Sequence, residues 1–157
     1  MGANPSPEEV EEWLDKQYIK DIEEQDDTTD FNFGVILGDW NIHVLRESPG
    51  DKLRVRGTVS LPPKFLGNLL ELPGIRRNFR TQLSTVLTGT NGFYQCLDDD
   101  GEACGFEDLR TIALEKPIYP DQVSQSEVME SLIRTSESLR YISESVDMIE
   151  DDIENTL

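Results

Sequence analysis

The sequence predicts an α+β fold with the element order α-β-β-β-α-β-β-α, in which helices pack on one face of an antiparallel sheet and the closing helix is long. Two observations support this class. Three consecutive segments between residues 31 and 61 alternate apolar residues with polar or small ones, as half-buried strands do. The flanking segments repeat apolar residues every three or four positions, which is typical of helices with one buried face.

Length and charge limit the classes of protein to consider. The chain has 157 residues, so we expect residues 1–157 to form a single domain. Its 32 acidic and 14 basic residues give a net charge of −18, which argues against nucleic-acid and membrane partners because both are anionic. No apolar run approaches the ~20 residues of a membrane span and no signal peptide is recognisable, so we expect a cytoplasmic protein. The acidic composition is compatible with an ordinary acidic protein and also with a protein from a high-salt cytoplasm.

The first element is predicted to be a helix that follows a loose tail over residues 1–7. Ser6 can cap this helix, Pro7 suits its first position and two glutamates follow in the first turn. An apolar stripe continues to about Glu24, and its members are Val10, Trp13, Leu14, Tyr18 and Ile22.

Two hairpins are predicted next. The two-residue turn Gly38-Asp39 aligns three apolar pairs on one face. These pairs are Leu37 with Trp40, Val35 with Ile42 and Phe33 with Val44. The turn over residues 48–51 aligns a third strand on the same face. Its pairs are Val44 with Val55, Ile42 with Gly57 and Trp40 with Val59. The opposite face collects Asn32, Ile36, Asn41, His43, Leu45, Arg54, Arg56 and Thr58.

The second half of the chain begins at Pro62-Pro63, which ends the sheet segment. A short helix breaks at Pro73-Gly74, and a resumed helix covers Ile75–Thr88 with Gly89 as its C-terminal cap. Strand four is Gly92–Leu97, and residues 103–116 form either one bent strand or two pieces, followed by a loop from Pro117. A capping box at Ser124 opens the closing helix. We expect residues 151–157 to fray, because acids oppose the helix dipole at a C-terminus.

Chemistry-bearing residues are few. Cys96 and Cys104 flank the Asp98–Gly101 turn and would face each other in a hairpin, where a disulfide is geometrically allowed. We expect free thiols, because the cytoplasm is reducing. The acids of the turn are consecutive, unlike those of a calcium loop, so we predict no metal site. We also predict no cofactor, since the chain has no glycine-rich phosphate loop.

Two basic clusters are the candidate binding sites. His43, Leu45, Arg54 and Arg56 share the sheet face away from the core and could bind an acidic peptide or a small anion. The alternative is that these bases only pair with the protein's own carboxylates. The second cluster opens the resumed helix, where cations oppose the helix dipole, and consists of Arg76, Arg77 and Arg80.

In its order of elements the chain resembles the type III secretion chaperone-like fold. The resemblance lies in an opening helix, the meander from Phe31 to Leu61, the middle helix from Ile75, two strands and the closing helix from Ser124. It implies a protein without enzymatic activity that binds a segment of a partner protein, usually as a homodimer. The closing helix is longer than such folds require, and nothing indicates a secretion apparatus.

Two hypotheses follow. The first is a non-enzymatic intracellular protein-binding module, chaperone- or adaptor-like, that receives a segment of an unidentified partner protein or peptide and that could be a homodimer. The second is a small-anion-binding domain or an enzyme that uses His43, Arg54 and Arg56. A deep pocket converging on His43 would favour the second hypothesis, whereas a shallow apolar groove would favour the first.

Overall fold

A computed structural model describes residues 4–17, 29–90 and 92–156. Its four helices and five strands, in chain order, are α1 (Pro7–Gln17), β1 (Phe31–Leu37), β2 (Trp40–Arg46), β3 (Leu53–Ser60), α2 (Pro63–Glu71), α3 (Pro73–Thr90), β4 (Phe93–Leu97), β5 (Thr111–Ile118) and α4 (Gln125–Thr156). Single 3-10 turns lie at Phe106–Asp108 and Pro120–Gln122. The predicted residues Tyr18, Ile22 and Glu24 of the first helix lie outside the described residues.

The strands form one antiparallel sheet in the order β1-β2-β3-β5-β4. The α+β class and the order of elements are therefore confirmed, with α2 and α3 as the interrupted middle helix. Cα proximity divides the chain into two compact units, and the division falls within β3, β5 and α4. Unit 1 comprises Met1–Gly57 and Glu115–Ser136, and unit 2 comprises Thr58–Leu114 and Glu137–Leu157.

The predicted strand register of unit 1 is confirmed. β1 and β2 pair from Phe31–Arg46 to Leu37–Trp40, and β2 and β3 pair from Ile42–Gly57 to Leu45–Arg54. The predicted Trp40–Val59 pair lies beyond this ladder. Gly38 has φ +60° in the first turn, a backbone conformation that glycine adopts without steric cost.

The core of unit 1 lies on one face of these strands, and α1 contacts β1. Alternate residues along each strand are buried, which is the consequence of the period-two pattern. The buried apolar side chains are Val10, Leu14, Phe31, Phe33, Val35, Ile42, Val44, Leu53, Val55, Ile118, Val123, Val128 and Leu132.

Arg46 is a buried arginine at the end of β2, with only 2% of its surface exposed. Its guanidinium donates to Asp30 Oδ2 at 2.7 and 2.9 Å, to Asn4 Oδ1 at 2.7 Å and to the carbonyl of Pro5 at 2.9 Å. It also lies 5.0 Å from the centre of the Phe31 ring. Arg46 thus ties Asn4 and Pro5 to the sheet, within the segment 1–7 for which the sequence predicts a loose tail.

The helices of unit 2 differ from the prediction at both ends of α3. Leu72 has φ −116° and ψ 100°, the extended conformation favoured before a proline, so α2 ends there. Pro73 takes the first position of α3, which therefore begins two residues before Ile75. At its other end α3 runs past Gly89 to Thr90, and Gly89 is not its cap.

The core of unit 2 has an aromatic cluster. The rings of Phe65 and Phe79 meet edge to face at 5.1 Å, and Phe106 lies 6.1 Å from Phe79. Phe106 is half-buried, whereas Phe65 and Phe79 are buried. The buried apolar residues of unit 2 besides these two are Val59, Leu61, Leu66, Leu69, Leu83, Val86, Leu97, Leu109, Ile112, Ala113, Leu114, Leu139, Ile142, Val146, Ile149 and Ile153.

Residues 103–116 contain one strand. Ala103 makes an isolated bridge to Leu97, a 3-10 turn follows at Phe106–Asp108, and β5 begins at Thr111. β5 then continues through Pro117 to Ile118, so the predicted start of a loop at Pro117 is wrong. A proline is tolerated near a strand end where its missing N–H interrupts no ladder bond.

The closing helix α4 begins as predicted, since Glu127 N donates to Ser124 Oγ at 3.1 Å. α4 is helical to Thr156, and the fraying of residues 151–157 stays a prediction. Within unit 2, Ile153 is buried and Lys64 pairs with Glu154 at 2.8 Å, which offsets the unfavourable acids. None of the helices in the described ranges combines the length and hydropathy needed to cross a membrane.

Candidate functional site

The face of β1–β3 opposite the core carries the first predicted cluster. We call this surface the open face, and its members are Asn32, Ile36, His43, Leu45, Arg54 and Arg56. The strand register places them in rows, with Asn32, Leu45 and Arg54 side by side in one row. The next row contains Gly34, His43 and Arg56. Ile36 is 40% exposed and the others are half-buried, so the structure brings the predicted residues together on an accessible surface.

Arg54 is held by carboxylates of its own unit. Its Nε donates to Glu115 Oε1 at 2.9 Å and its Nη1 donates to Glu47 Oε1 at 2.8 Å. The hydrogen bond to Glu115 raises the pKa of Arg54, and burial offsets part of that increase. The charge of Arg54 is therefore balanced within the protein, as the second interpretation of this cluster expected.

His43 and Arg56 differ from Arg54 in their partners. The His43 ring donates from Nδ1 to Asn32 Oδ1 at 2.9 Å, which fixes the orientation of the imidazole on the open face. Arg56 is half-buried and has no hydrogen-bond or ion-pair partner among the described residues. Arg56 is thus the arginine of this face that carries a positive charge without a matching carboxylate in the described part of the chain.

A cleft of about 510 Å³ lies beside Arg54. Its lining residues are Glu47, Gly50, Asp51, Lys52, Arg54, Glu115, Tyr119 and Pro120. The lining has three carboxylates against two cations, which disfavours a small anion. His43 and Arg56 are not among its residues, so this cleft is not the deep pocket converging on His43 that a small-anion site or an enzyme requires.

The second predicted cluster belongs to unit 2 and contacts groups of that unit. Arg76 Nη2 donates to the carbonyl of Leu70 at 3.5 Å. The guanidinium of Arg80 lies 4.8 Å from the centre of the Phe106 ring, within cation–π range. Arg77 is exposed on α3. A role for these three arginines in partner binding stays a prediction.

The Asp98–Gly101 turn uses its first carboxylate internally. Asp98 Oδ1 accepts hydrogen bonds from the backbone N–H groups of Asp100 at 2.9 Å and Glu102 at 3.0 Å, while Gly101 adopts φ +79°. Within residues 4–17, 29–90 and 92–156, no three His, Cys, Asp or Glu side chains converge as metal ligands would.

Cys96 and Cys104 face each other beyond this turn. The backbone N–H of Cys104 donates to the carbonyl of Cys96 at 3.0 Å, and both are free thiols in the structure. Burial raises the pKa of Cys96 to about 11, and the neighbouring Cys104 adds to the increase. Burial and the Asp98 carboxylate also raise the pKa of Cys104. Raised pKa values disfavour the thiolate and hence nucleophilic chemistry at this pair.

We therefore predict that the native thiols react slowly. At pH 8, roughly one Cys96 in a thousand is a thiolate, against about a quarter for an unperturbed cysteine. Alkylation by iodoacetamide should be at least about tenfold slower for Cys96 in the native protein than after denaturation, and should accelerate as the pH rises toward 11. Denaturation without reductant should release both thiols; recovery of none would show a disulfide.

Sequence reasoning missed two residues that organise the site, Glu115 and Glu47. Glu115 is a nearly buried acid that directly follows the apolar residues 112–114 of β5, and an acid adjoining such a run signals a buried partner. Glu47 follows β2 directly and is exposed, so no pattern distinguishes it from the other surface acids.

The Arg54–Glu115 pair should stabilise the fold, whereas the Arg54–Glu47 pair should contribute little. Replacing Arg54 with serine leaves Glu115, whose side chain is 9% exposed, without its cation and should cost about 2 kcal/mol of unfolding free energy. Glu47→Gln should cost less than about 1 kcal/mol, because the Glu47 side chain is 63% exposed. Urea denaturation of both variants measures the difference; equal small losses would show that Glu115 does not depend on Arg54.

Comparison with known proteins supports the fold of this chain but gives no information about its function. An uncharacterized protein from Methanothermobacter thermautotrophicus has a crystal structure that matches with a TM-score of 0.71, covering 94% of this chain and 99% of that chain at 18% identity. At this identity the likeness shows the fold alone.

The crystal structure of YbjN from E. coli, a suggested transcription regulator, matches with a TM-score of 0.49 at 12% identity over 99% of this chain and 97% of that chain. A TM-score below 0.5 is too low to support a conclusion about this chain. No protein-family model and no curated protein matches the sequence. The resemblance to the type III secretion chaperone-like fold stays an expectation beyond the α+β fold itself.

Proposed function

We propose that the protein is a non-enzymatic protein-binding module whose open face receives an extended acidic segment of a partner protein. The observation that supports this proposal is that the charge of Arg56 is not balanced by a carboxylate in the described part of the chain. The chain has 32 acidic residues against 14 basic ones, so carboxylates to neutralise an arginine are abundant. Arg54 is neutralised in this way on the same strand, whereas Arg56 has no carboxylate partner in the described part of the chain.

A carboxylate is the group that matches Arg56. The guanidinium presents a planar set of N–H donors that binds both oxygens of a carboxylate, and partial burial strengthens such a bond. His43 lies directly opposite Arg56 across the β2–β3 ladder and adds a second polar group to the same position. The partner segment should therefore place an aspartate or glutamate over the row that contains Gly34, His43 and Arg56.

The neighbouring rows suit an extended segment with apolar residues beside that acid. Leu45 lies one row from His43 along β2, and side chains two residues apart on a strand are separated by about 7 Å. An extended peptide repeats its side chains with the same spacing, so an acid over Arg56 and an apolar residue over Leu45 are compatible. Ile36, 40% exposed, provides a second apolar contact.

The net charge of −18 sets the conditions of binding. An acidic segment is repelled by the protein as a whole at long range, which slows association but does not prevent short-range pairing. At an ionic strength of about 0.15 M, screening limits long-range repulsion to within roughly 8 Å. The contact with a half-buried arginine is screened less, so specificity comes from Arg56 rather than from overall attraction.

A labelled peptide of alternating glutamate and valine, measured by fluorescence anisotropy at ~0.15 M salt, tests this function. We expect the wild-type protein to bind it, and Arg56→Ser to weaken binding about tenfold, or ~1.4 kcal/mol. Arg140→Ser is the matched control. Arg140 is exposed and its Nε lies 3.9 Å from Glu144 Oε1, so replacing it should change the affinity for the peptide less than about twofold.

A peptide of alternating lysine and valine is attracted by the net charge of −18, so any binding of it should be equal for the wild-type protein and Arg56→Ser. Equal affinity of the wild-type protein and Arg56→Ser for the glutamate peptide would contradict the proposal. Thermal melting of Arg56→Ser should match the wild type, because the substitution breaks no ion pair among the residues that the structure describes, and this result excludes unfolding as the cause of lost binding.

A further inference from the structure

The cleft of about 510 Å³ beside Arg54 is separate from the row of open-face residues that contains Arg56. All of its lining residues belong to unit 1, and its volume lies in the range of small-molecule sites. Because its carboxylates outnumber its cations, a cation is the ligand whose charge complements the cleft. The positions of the individual carboxylate oxygens indicate which kind of cation fits.

Glu115 has one carboxylate oxygen that Arg54 does not use. Arg54 Nε and Nη2 both donate to Glu115 Oε1, at 2.9 and 2.5 Å. Glu115 Oε2 makes no hydrogen bond within the described part of the chain, yet it keeps some accessible surface. The Glu115 side chain is only 9% exposed and lines the cleft, so this surface faces the cleft. A nearly buried carboxylate oxygen without a donor favours a ligand that brings an N–H group to it.

Glu47 and Asp51 add two further carboxylates to the cleft. Glu47 Oε1 accepts from Arg54 Nη1 at 2.8 Å, so Glu47 also keeps its second oxygen for another donor. Asp51 ends a tight turn in which its backbone N–H donates to the carbonyl of Ser48 at 3.0 Å and Gly50 adopts φ +90°. This turn fixes the backbone of Asp51 at the cleft. Arg54 thus balances only part of the negative charge around it.

Tyr119 gives the cleft an aromatic wall. It follows β5 directly, and its side chain is 52% exposed. Its backbone carbonyl accepts from the N–H of Gln122 at 2.8 Å, across the 3-10 turn that begins at Pro120. The face of a tyrosine ring attracts cations and also packs against apolar groups. An exposed ring beside carboxylates therefore suits a ligand that has a cationic end and an apolar body.

We propose that this cleft binds a small organic cation in which a primary ammonium group is attached to an apolar body. Arg54 already uses Oε1 of both Glu115 and Glu47, so each of these carboxylates offers one oxygen. A guanidinium pairs best with both oxygens of one carboxylate, whereas the three N–H donors of an ammonium group match single oxygens on separate residues. The net charge of −18 attracts such a ligand. The proposal does not depend on binding of an acidic segment at Arg56.

Nuclear magnetic resonance titration of the full chain with benzylammonium chloride, at about pH 7.5 and ~0.15 M salt, tests the proposal. We expect backbone amide shifts to concentrate at Gly50, Asp51 and Tyr119. The dissociation constant should be on the order of 1 mM, as is usual for a ligand of so few atoms. Sodium benzoate has the same ring and the opposite charge, so it should cause no shifts at these amides up to about 20 mM.

Four variants separate the charge and the ring of the cleft from the net charge of the protein. Glu47→Gln should weaken benzylammonium binding about fivefold. Glu144→Gln is its matched control, because Glu144 lies in unit 2, is similarly exposed and also neighbours an arginine, and it should change the affinity less than about 1.5-fold. Lys52→Gln removes a repelling cation and should tighten binding about twofold. Tyr119→Leu keeps an apolar side chain without a ring and should weaken binding about threefold.

The opposite signs of two of these effects make the test specific. Loss of affinity in Glu47→Gln together with a gain in Lys52→Gln supports a cation site, and the reverse pattern would show an anion site. A wild-type protein whose cleft amides do not shift at about 20 mM benzylammonium would overturn the proposal. Equal binding of benzoate, or equal effects of Glu47→Gln and Glu144→Gln, would overturn it as well.

Discussion

Replacing Val44 with aspartate is expected to lower the unfolding free energy by about 3 to 5 kcal/mol. Val44 is fully buried on the core face of β2 and pairs with Phe33 and Val55. A carboxylate at this position is removed from water without a cation or donor to compensate it, and such uncompensated charges are among the most destabilising substitutions. Urea denaturation measures the loss directly.

Thr58→Asp is the matched control, since it introduces the same side chain in the same sheet. Thr58 is exposed, so its replacement should cost less than about 1 kcal/mol. Similar losses for the two variants would contradict the assignment of core face and open face on which the binding proposal depends.

Arg46→Ala is expected to cost about 3 kcal/mol or more. The substitution leaves Asp30, whose side chain is 15% exposed, without its cation, and removes the donors to Asn4 and Pro5. Arg46→Lys keeps the charge but cannot form the forked contacts, so we expect a smaller loss. Unfolding free energies of the two variants provide the measurement. A loss of under about 1 kcal/mol for Arg46→Ala would show that the N-terminal segment does not depend on this arginine.

The hairpin register could be predicted because two local constraints agree. The two-residue turn at Gly38-Asp39 sets the pairing, and the period-two pattern admits only a register that keeps Phe33, Val35 and Val44 on one face. Both constraints lie within about 30 residues of sequence. No other part of the chain combines a short turn with such regular alternation.

Arg46 could not be predicted as a buried residue. A charged residue at the end of a strand normally lies in water, and nothing local indicates otherwise. Its partner Asn4 is 42 residues away in sequence. Burial of the guanidinium is therefore a result of tertiary packing, which brings the N-terminal segment, Asp30 and Phe31 together around it.

The candidate site was predicted as a group but not residue by residue. Because alternate residues of a strand lie on opposite faces, the sequence pattern correctly placed Arg54 and Arg56 on the open face beside His43 and Leu45. It could not distinguish the neutralised arginine from the other, because Glu115 lies 61 residues from Arg54 and reaches it only through the placement of β5 beside β3. That strand order follows from packing between distant segments rather than from a local pattern.

Nuclear magnetic resonance titration with the glutamate–valine peptide tests most directly the claim that the open face binds an acidic segment. We predict that backbone amide shifts concentrate in β1–β3 around Gly34, His43 and Arg56, and that Arg56→Ser strongly reduces them at the same subsaturating peptide concentration, as about tenfold weaker binding requires. Shifts confined to α3 around Arg76, Arg77 and Arg80, with β1–β3 unchanged, would contradict the claim and place the binding surface on the second basic cluster.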